Sequence, residues 1–363
     1  MFNVKENKAI CVLPWVHKYK QITNDIAPCC KAKNLPKGET IANVRQLMLN
    51  NIKPKVCSIC YKNEEDSNWS HRLKETNEWL KKFGTPDINN PQVEYIDIRY
   101  NPTCNLKCKT CGPESSTLWQ KEKGIKIDIN KENQNYIHNV DKKNLKKVYL
   151  AGGEPTYIKD YLDFLNELLI VNPNCKVIIN TNLKKLPNAW KEIITKFKNL
   201  TIVCSCDAIE LLGTYVRYPL GWDEFEENVK FVSENANFLQ FNLVASNLTS
   251  HKLYETCSWM KQYSNHINIS ILNEPEIFLE CSVPLEYRET YINNIKKLLK
   301  FPVSVYYASQ FRSEINYLIK KYSTAKYVKS LHNALKDEIT EQDSHRHLKL
   351  IDVDPFLHSW IFQ

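Results

Sequence analysis

The sequence predicts an α/β fold, and three observations point to it. From residue 93 onward, short β-rich runs alternate with helical segments, the signature of βαβ units that pair parallel strands. Before that point periodicity is weak and cysteines are dense, so a small separate module precedes the repeating part. Glycine is scarce, 8 in 363 residues, where average usage would give about 25. Each glycine therefore has a reason to be present, and Gly152 and Gly153 stand side by side just past an apolar run.

Taken in order, the first clear pattern is IANVRQLMLNNI from Ile41, an amphipathic helix that Pro54 ends. A further helix is expected over 66–82. Gly84-Thr-Pro86 and Asn89-Asn90-Pro91 then form a linker. Strands are expected at Val93–Tyr100, Lys147–Ala151, Lys176–Thr181, Leu200–Ser205, Leu239–Ala245 and Ile267–Leu272. Helices are expected near 114–122, 158–171, 185–198, 222–235, 250–263 and 285–300, and the tail 309–363 reads as helical and then irregular. Six strands alternating with helices fit a doubly wound sheet or a complete or partial α/β barrel, with chemistry at the strands' C-terminal ends. The domain boundaries follow: 1–91, 92–308 and 309–363.

Hydrophobic residues make up 43% and charged residues 25%, which argues against a largely disordered chain. No apolar run approaches the length of a membrane span, and MFNVKENKAICVLPW lacks a signal-peptide core, so a cytoplasmic protein is expected. The net charge is +8. Residues 1–91 hold 15 Lys and Arg against 9 Asp and Glu, a surplus of 6, and the rest is nearly balanced. A solvated lysine-rich surface accounts for this more readily than an acidic or RNA partner. No aromatic-plus-basic run resembles a nucleic-acid motif.

The 13 cysteines are the strongest signal. Disulfides are rare in a reducing cytosol, so clustered cysteines there point to metal or catalysis. Cys104, Cys108 and Cys111 follow the first strand with CxxxCxxC spacing. Three thiolates on a short loop can hold three irons of a cubane cluster and leave the fourth open; a zinc loop completed from elsewhere is the structural alternative. Cys11, Pro28-Cys29-Cys30 and Cys57-Ser-Ile-Cys60 form a second set, four of which can close a zinc or [4Fe–4S] site. The remaining five, Cys175, Cys204, Cys206, Cys257 and Cys281, are scattered and expected mainly as core thiols.

The triplet after strand one resembles the radical S-adenosylmethionine (radical SAM) superfamily, which implies a partial (β/α)6 barrel. The likeness continues in Gly152-Gly153-Glu154-Pro155 after strand two, similar to the superfamily's GGEP motif at the methionine amino group. Asn180-Thr181-Asn182 resembles the motif near methionine and ribose, with Leu183 in place of the usual glycine. Ser205-Cys206-Asp207 resembles the S-x-D ribose motif, and Arg217 the arginine that pairs with the SAM carboxylate. Asn242, Asn247 and Leu272 fall where ribose and adenine contacts occur. Thr110 departs from the aromatic residue often found before the third cysteine, so Tyr100 or Leu272 is expected over the adenine.

The N-terminal cysteines are similar to SPASM and twitch domains, here preceding the barrel. That resemblance implies Cys11, Cys29, Cys57 and Cys60 as ligands of a second, auxiliary [4Fe–4S] cluster. The stretch from Cys60 to Arg72 resembles the subgroup's linker, and Asp343-Ser-His-Arg346 with Asp354-Pro355 is faintly similar to its end. Together these imply an enzyme that reductively cleaves SAM to a 5′-deoxyadenosyl radical, fed by flavodoxin or ferredoxin. The expected substrate is a peptide or protein, with RNA and small molecules as alternatives. A non-catalytic zinc scaffold is the alternative of another class.

Overall fold

A computed structural model of the chain describes residues 2–22, 25–67, 69–129 and 131–363. Among the described residues there are seven strands: β1 (His17–Lys20), β2 (Tyr95–Arg99), β3 (Lys147–Ala151), β4 (Lys176–Thr181), β5 (Leu200–Ser205), β6 (Phe238–Ala245) and β7 (Ile267–Ile271). They form one sheet in the order β1-β2-β3-β4-β5-β6-β7. The pairs β1–β2, β2–β3, β3–β4 and β6–β7 are parallel, with Tyr19 opposite Asp97 and Arg99 opposite Ala151. A doubly wound sheet reverses its order at a switch point. This order has no reversal, so it is the barrel-type arrangement.

Six strands stand where the sequence places them. The seventh, β1, was not anticipated, because His17-Lys-Tyr-Lys20 carries no apolar alternation. It forms because β2 offers it an edge to pair with. Two helices, Ser58–Ser67 and His71–Phe83, replace the single helix expected over 66–82. Ser70 starts the second by accepting the Leu73 N–H. The tail is helical almost to its end, with helices Lys329–His345, Leu350–Val353 and Pro355–Ile361, rather than irregular. Helices at Lys131–Asn139 and Glu210–Val216 were also not foreseen.

By internal contacts the chain divides into two compact units: Met1–Thr103 with Ile125–Asn180 and Pro187–Thr201, and Cys104–Gly124 with Thr181–Leu186 and Ile202–Gln363. In the first, the helix Lys159–Val171 buries Tyr161, Phe164, Leu165 and Leu168, the i, i+3, i+4, i+7 stripe of a one-sided helix. The Tyr161 hydroxyl lies 2.8 Å from Ile98 O and 2.7 Å from Ala151 O, and accepts the Tyr100 N–H. One phenol thereby ties together the ends of β2 and β3, from which two of the motifs depart. Trp15, Val44, Met48, Cys57, Tyr61, Trp79 and Tyr95 share one core, so the cysteine-rich segment packs directly on β2. In the second unit, the helix Trp222–Asn235 buries Phe225, Val229 and Val232 on one face, and β6 alternates buried and half-buried side chains along its length.

Candidate functional site

In the first unit, Gly152 and Gly153 follow β3 and lie against the chain that leaves β2. The Gly153 N–H donates to Asn101 O (3.0 Å) and the Glu154 N–H to Thr103 O (2.7 Å). A Cβ on Gly153 would fall 2.1 Å from Thr103 O, so only glycine permits this approach. Gly152 has φ +115°, a backbone conformation that side chains rarely adopt. Glu154 is buried and accepts from the N–H and hydroxyl of Thr156.

In the second unit, Cys104, Cys108 and Cys111 share one half-buried loop. Burial raises the Cys111 thiol, and charge repulsion from Cys108 and Cys104 raises it further, so three thiols lie in mutual electrostatic reach. Iron would relieve that repulsion. Two backbone hydrogen bonds pin the loop to the segment before the cis Tyr218–Pro219 bond: Lys107 N–H to Tyr218 O (2.7 Å) and Lys109 N–H to Val216 O (2.8 Å). Arg217 stands between those two acceptors. Burial would lower its guanidinium; Cys108 and Asp207 override that and hold it charged.

Arg217 is paired with Asp207 through Nη1 to Oδ2 at 2.8 Å, and Asp207 Oδ1 accepts the Val244 N–H at 2.9 Å. The sequence assigned the two residues separate partners. The pairing brings them together, and it was not legible because it joins residues ten apart across a strand end and a helix end. The Arg217 Nε is buried with no hydrogen-bond partner, a donor available to an anionic ligand. Asn182 Nδ2 lies 3.9 Å from Cys104 Sγ and donates to Asn105 Oδ1 at 2.8 Å. Leu183, which replaces the usual glycine, has φ +49° and is fully buried. The backbone keeps the glycine-like conformation even though the residue has changed.

Ser205 ends β5, two residues before Asp207. Asn242 accepts from Asn268 (2.7 Å) and Ser270 (3.0 Å) across β6 and β7. Asn247 donates to Ile277 O (2.8 Å) and Ser282 Oγ (2.7 Å), so it braces a loop. Leu272 lines a small cavity with Ala245, Asn247 and Tyr322.

The N-terminal cysteines meet in the first unit. Cys11, Cys29, Cys57 and Cys60 line one cavity together with Pro28, Met48, His71 and Arg72, whereas Cys30 does not. All four are buried, and burial raises each thiol. Backbone N–H groups of Leu13, Lys31 and Arg72 donate to Cys11, Cys29 and Cys60 respectively. Cys57 and Cys60 also stand at the start of the helix Ser58–Ser67, where partial positive charge favours thiolates. Four thiols, three of them with such donors, suit cluster ligation, in which hydrogen bonds to sulfur tune the iron. Among the described residues, no three His, Cys, Asp or Glu side chains converge on the position of a single metal ion. Cys175, Cys204, Cys206 and Cys257 are buried and Cys281 is half-buried. Among the described residues, no helix is long and apolar enough to cross a membrane.

Comparison with known proteins gives three findings. Residues 98–212 match the family described as the Radical SAM superfamily. A GTP 3′,8-cyclase of Mannheimia succiniciproducens is 29% identical over 130 residues, 34% of this chain and 38% of that protein. The chain thus aligns with well under half of that relative's length. Among solved structures, anSMEcpe with bound AdoMet is 15% identical with TM-score 0.44, covering 57% of each chain. Streptococcus suis SuiB bound to S-adenosylmethionine is 18% identical with TM-score 0.41, covering 71% of this chain and 58% of that one.

Proposed function

We propose that this chain is a radical SAM enzyme. The observation that carries the reading is the half-buried Cys104–Cys111 loop, hydrogen-bonded on both sides of Arg217, inside the matched superfamily region. Cys104, Cys108 and Cys111 would hold a [4Fe–4S] cluster. Arg217, with its unpartnered Nε, would take the SAM carboxylate, and Asp207 with Ser205 the ribose hydroxyls. Gly152, Gly153, Glu154 and Pro155 would present backbone groups to the methionine amino end, and Asn182 and Leu272 would contact the nucleoside. When bound, the reduced cluster and SAM supply a 5′-deoxyadenosyl radical that abstracts hydrogen from a substrate.

The chain's own part in the reaction is to bind, orient and exclude water. Arg217 and Asp207 are joined by a hydrogen bond, so a carboxylate held by Arg217 would compete with Asp207 for the guanidinium and would leave the Asp207 oxygen open to hydroxyl donors. The reading extends to an auxiliary cluster on Cys11, Cys29, Cys57 and Cys60, supported by their shared cavity and backbone donors. It also takes in a flavodoxin- or ferredoxin-type electron donor and a peptide or protein substrate, the last resting on the SPASM-like cysteine pattern. The reading also takes in a cytoplasmic location, which the free thiols support.

The test is iron and acid-labile sulfide per chain after anaerobic reconstitution, with 5′-deoxyadenosine assayed after dithionite and SAM. About eight irons with product supports both sites, and about four with product leaves the N-terminal site to zinc or vacancy. Zinc without iron or product refutes the enzyme and leaves the zinc scaffold.

A further inference from the structure

The tail segment around Asp343 and Arg346 has no role in the reading above, yet its side chains reach the cysteine loop within the same unit. Lys109 lies between Cys108 and Cys111 and is fully buried. Its Nζ has no hydrogen-bond partner, sits 4.0 Å from Asp343 Oδ1 and lies 4.0 Å from the centre of the Tyr215 ring. The Tyr215 hydroxyl donates to the same Asp343 oxygen at 2.8 Å, and the Leu350 N–H to the other at 2.7 Å. Asp343 is thus the carboxylate facing a buried ammonium, held in place by two donors.

Arg346 works one step away. Its Nη2 donates to Glu122 Oε1 at 3.1 Å, and Glu122 also pairs with Lys107 of the cysteine loop. The guanidinium lies over two rings, 5.3 Å from the centre of Trp119 and 5.0 Å from that of Tyr218. The Trp119 Nε1–H donates to Cys108 O at 2.9 Å, and Tyr218 O accepts the Lys107 N–H. The loop residues Lys107, Cys108 and Lys109 therefore each connect to the tail through one intermediate or none.

The geometry points to Asp343 and Arg346 as positioning residues that set the cysteine loop before any iron arrives. The inference rests on the reading of Cys104, Cys108 and Cys111 as cluster ligands. The physical reason is that a buried charge stripped of its partner is costly. Lys109 faces Asp343, and Glu122 is shared by Lys107 and Arg346, so removing the Asp343 charge strips the buried Lys109 of its facing carboxylate, and removing the Arg346 guanidinium unties Glu122, Trp119 and Tyr218 from the tail. The loop then gains by swinging Lys109 out to water, which moves Cys108 and Cys111 with it.

The experiment is hydrogen exchange on the metal-free, full-length protein, comparing the unmutated chain with Asp343→Asn, Arg346→Met and Tyr215→Phe. The expected result is that the Lys107 and Lys109 amides exchange at least about tenfold faster in the first two variants, while β6 and β7 keep their protection. Tyr215→Phe, which removes only one donor to Asp343, shifts the same amides in the same direction by less and guards against a variant that fails to fold. Under identical reconstitution, iron per chain falls with Asp343→Asn, and Asp343→Glu restores part of it. Unchanged exchange at Lys107 and Lys109 overturns the proposal. So does loss of protection spread evenly over the unit, which a purely structural role would give. Because exchange is read without metal, it stands apart from the cluster assignment, which iron content in Cys108→Ala tests separately.

Discussion

Gly153→Ala is the sharpest perturbation the fold offers, because one added methyl meets backbone rather than a yielding side chain. The new Cβ would lie 2.1 Å from Thr103 O, 2.5 Å from Thr103 C and 2.7 Å from Pro102 C. Relief requires the chain ahead of Cys104 to move by about 1 Å, since real contacts of this kind begin near 3.4 Å. That motion breaks the Gly153 and Glu154 N–H bonds to Asn101 and Thr103. Overpacking of this sort costs about 1–3 kcal/mol, against a gain of about 0.4–1 kcal/mol from a stiffer unfolded chain. The net sign is therefore destabilising. Gly221→Ala is the matched control: nothing lies within 4 Å of its Cβ and its φ is −90°. It also starts a helix, where Ala caps less well than Gly, so its gain and loss nearly cancel, within about 0.5 kcal/mol. Urea midpoints measure both, and SAM binding by calorimetry measures the functional cost at Gly153. If Gly153→Ala unfolds and binds SAM like the unmutated chain, the close approach does not position the site.

Four further outcomes follow from the geometry. Cys108→Ala should abolish 5′-deoxyadenosine formation, since two thiolates hold a cubane poorly; retained product would break the ligand assignment. Cys57→Ala should keep SAM cleavage-competent iron yet lower total iron per chain, and equal iron would remove the auxiliary site. Arg217→Met should weaken SAM binding and also destabilise the fold by about 3 kcal/mol, because the buried Asp207 loses its charged partner and keeps the Val244 N–H. Denaturation of the ligand-free protein at the unmutated midpoint would contradict the pairing. Burial would raise the Glu75 carboxyl, but the Lys147 ammonium at 2.7 Å overrides this and holds it at about 2, below its ordinary 4.5. A depressed folded value means stability present above about 4.5 is lost as pH falls toward 2. Glu75→Gln should flatten that part of the acid unfolding curve, and an unaltered slope would show the pair does not carry it.

The motifs were legible because each is local: a spacing, a Gly-Gly after an apolar run, an S-x-D at a strand end. The six barrel strands were legible because each is a short run rich in apolar and β-branched residues, and several of them end at glycine, proline or asparagine. What escaped depends on distant partners. β1 has no pattern of its own and is a strand only because β2 accepts it. The Arg217–Asp207 pair and the links from Lys109 to Asp343 join residues that only the fold brings together. The last helix did carry a signal, since Asp354-Pro355 is a cap followed by proline at the first helical turn, and Asp354 accepts the Leu357 N–H. Helix Ser58–Ser67 was missed because its face is polar.

β1 has one more effect. An exposed parallel edge is a template on which other chains can stack. Here the outermost strand carries Lys18 and Lys20, its side chains only partly covered, and β2 behind it is nearly all buried. The cysteine-rich segment thus ends the sheet with a charged selvedge. A protein shortened to begin at residue 92 would present Tyr95-Ile-Asp-Ile-Arg99 bare along that border, together with the apolar surface that Trp15 and Met48 now cover. The segment covers that border and the apolar surface beside it, whatever its thiols bind.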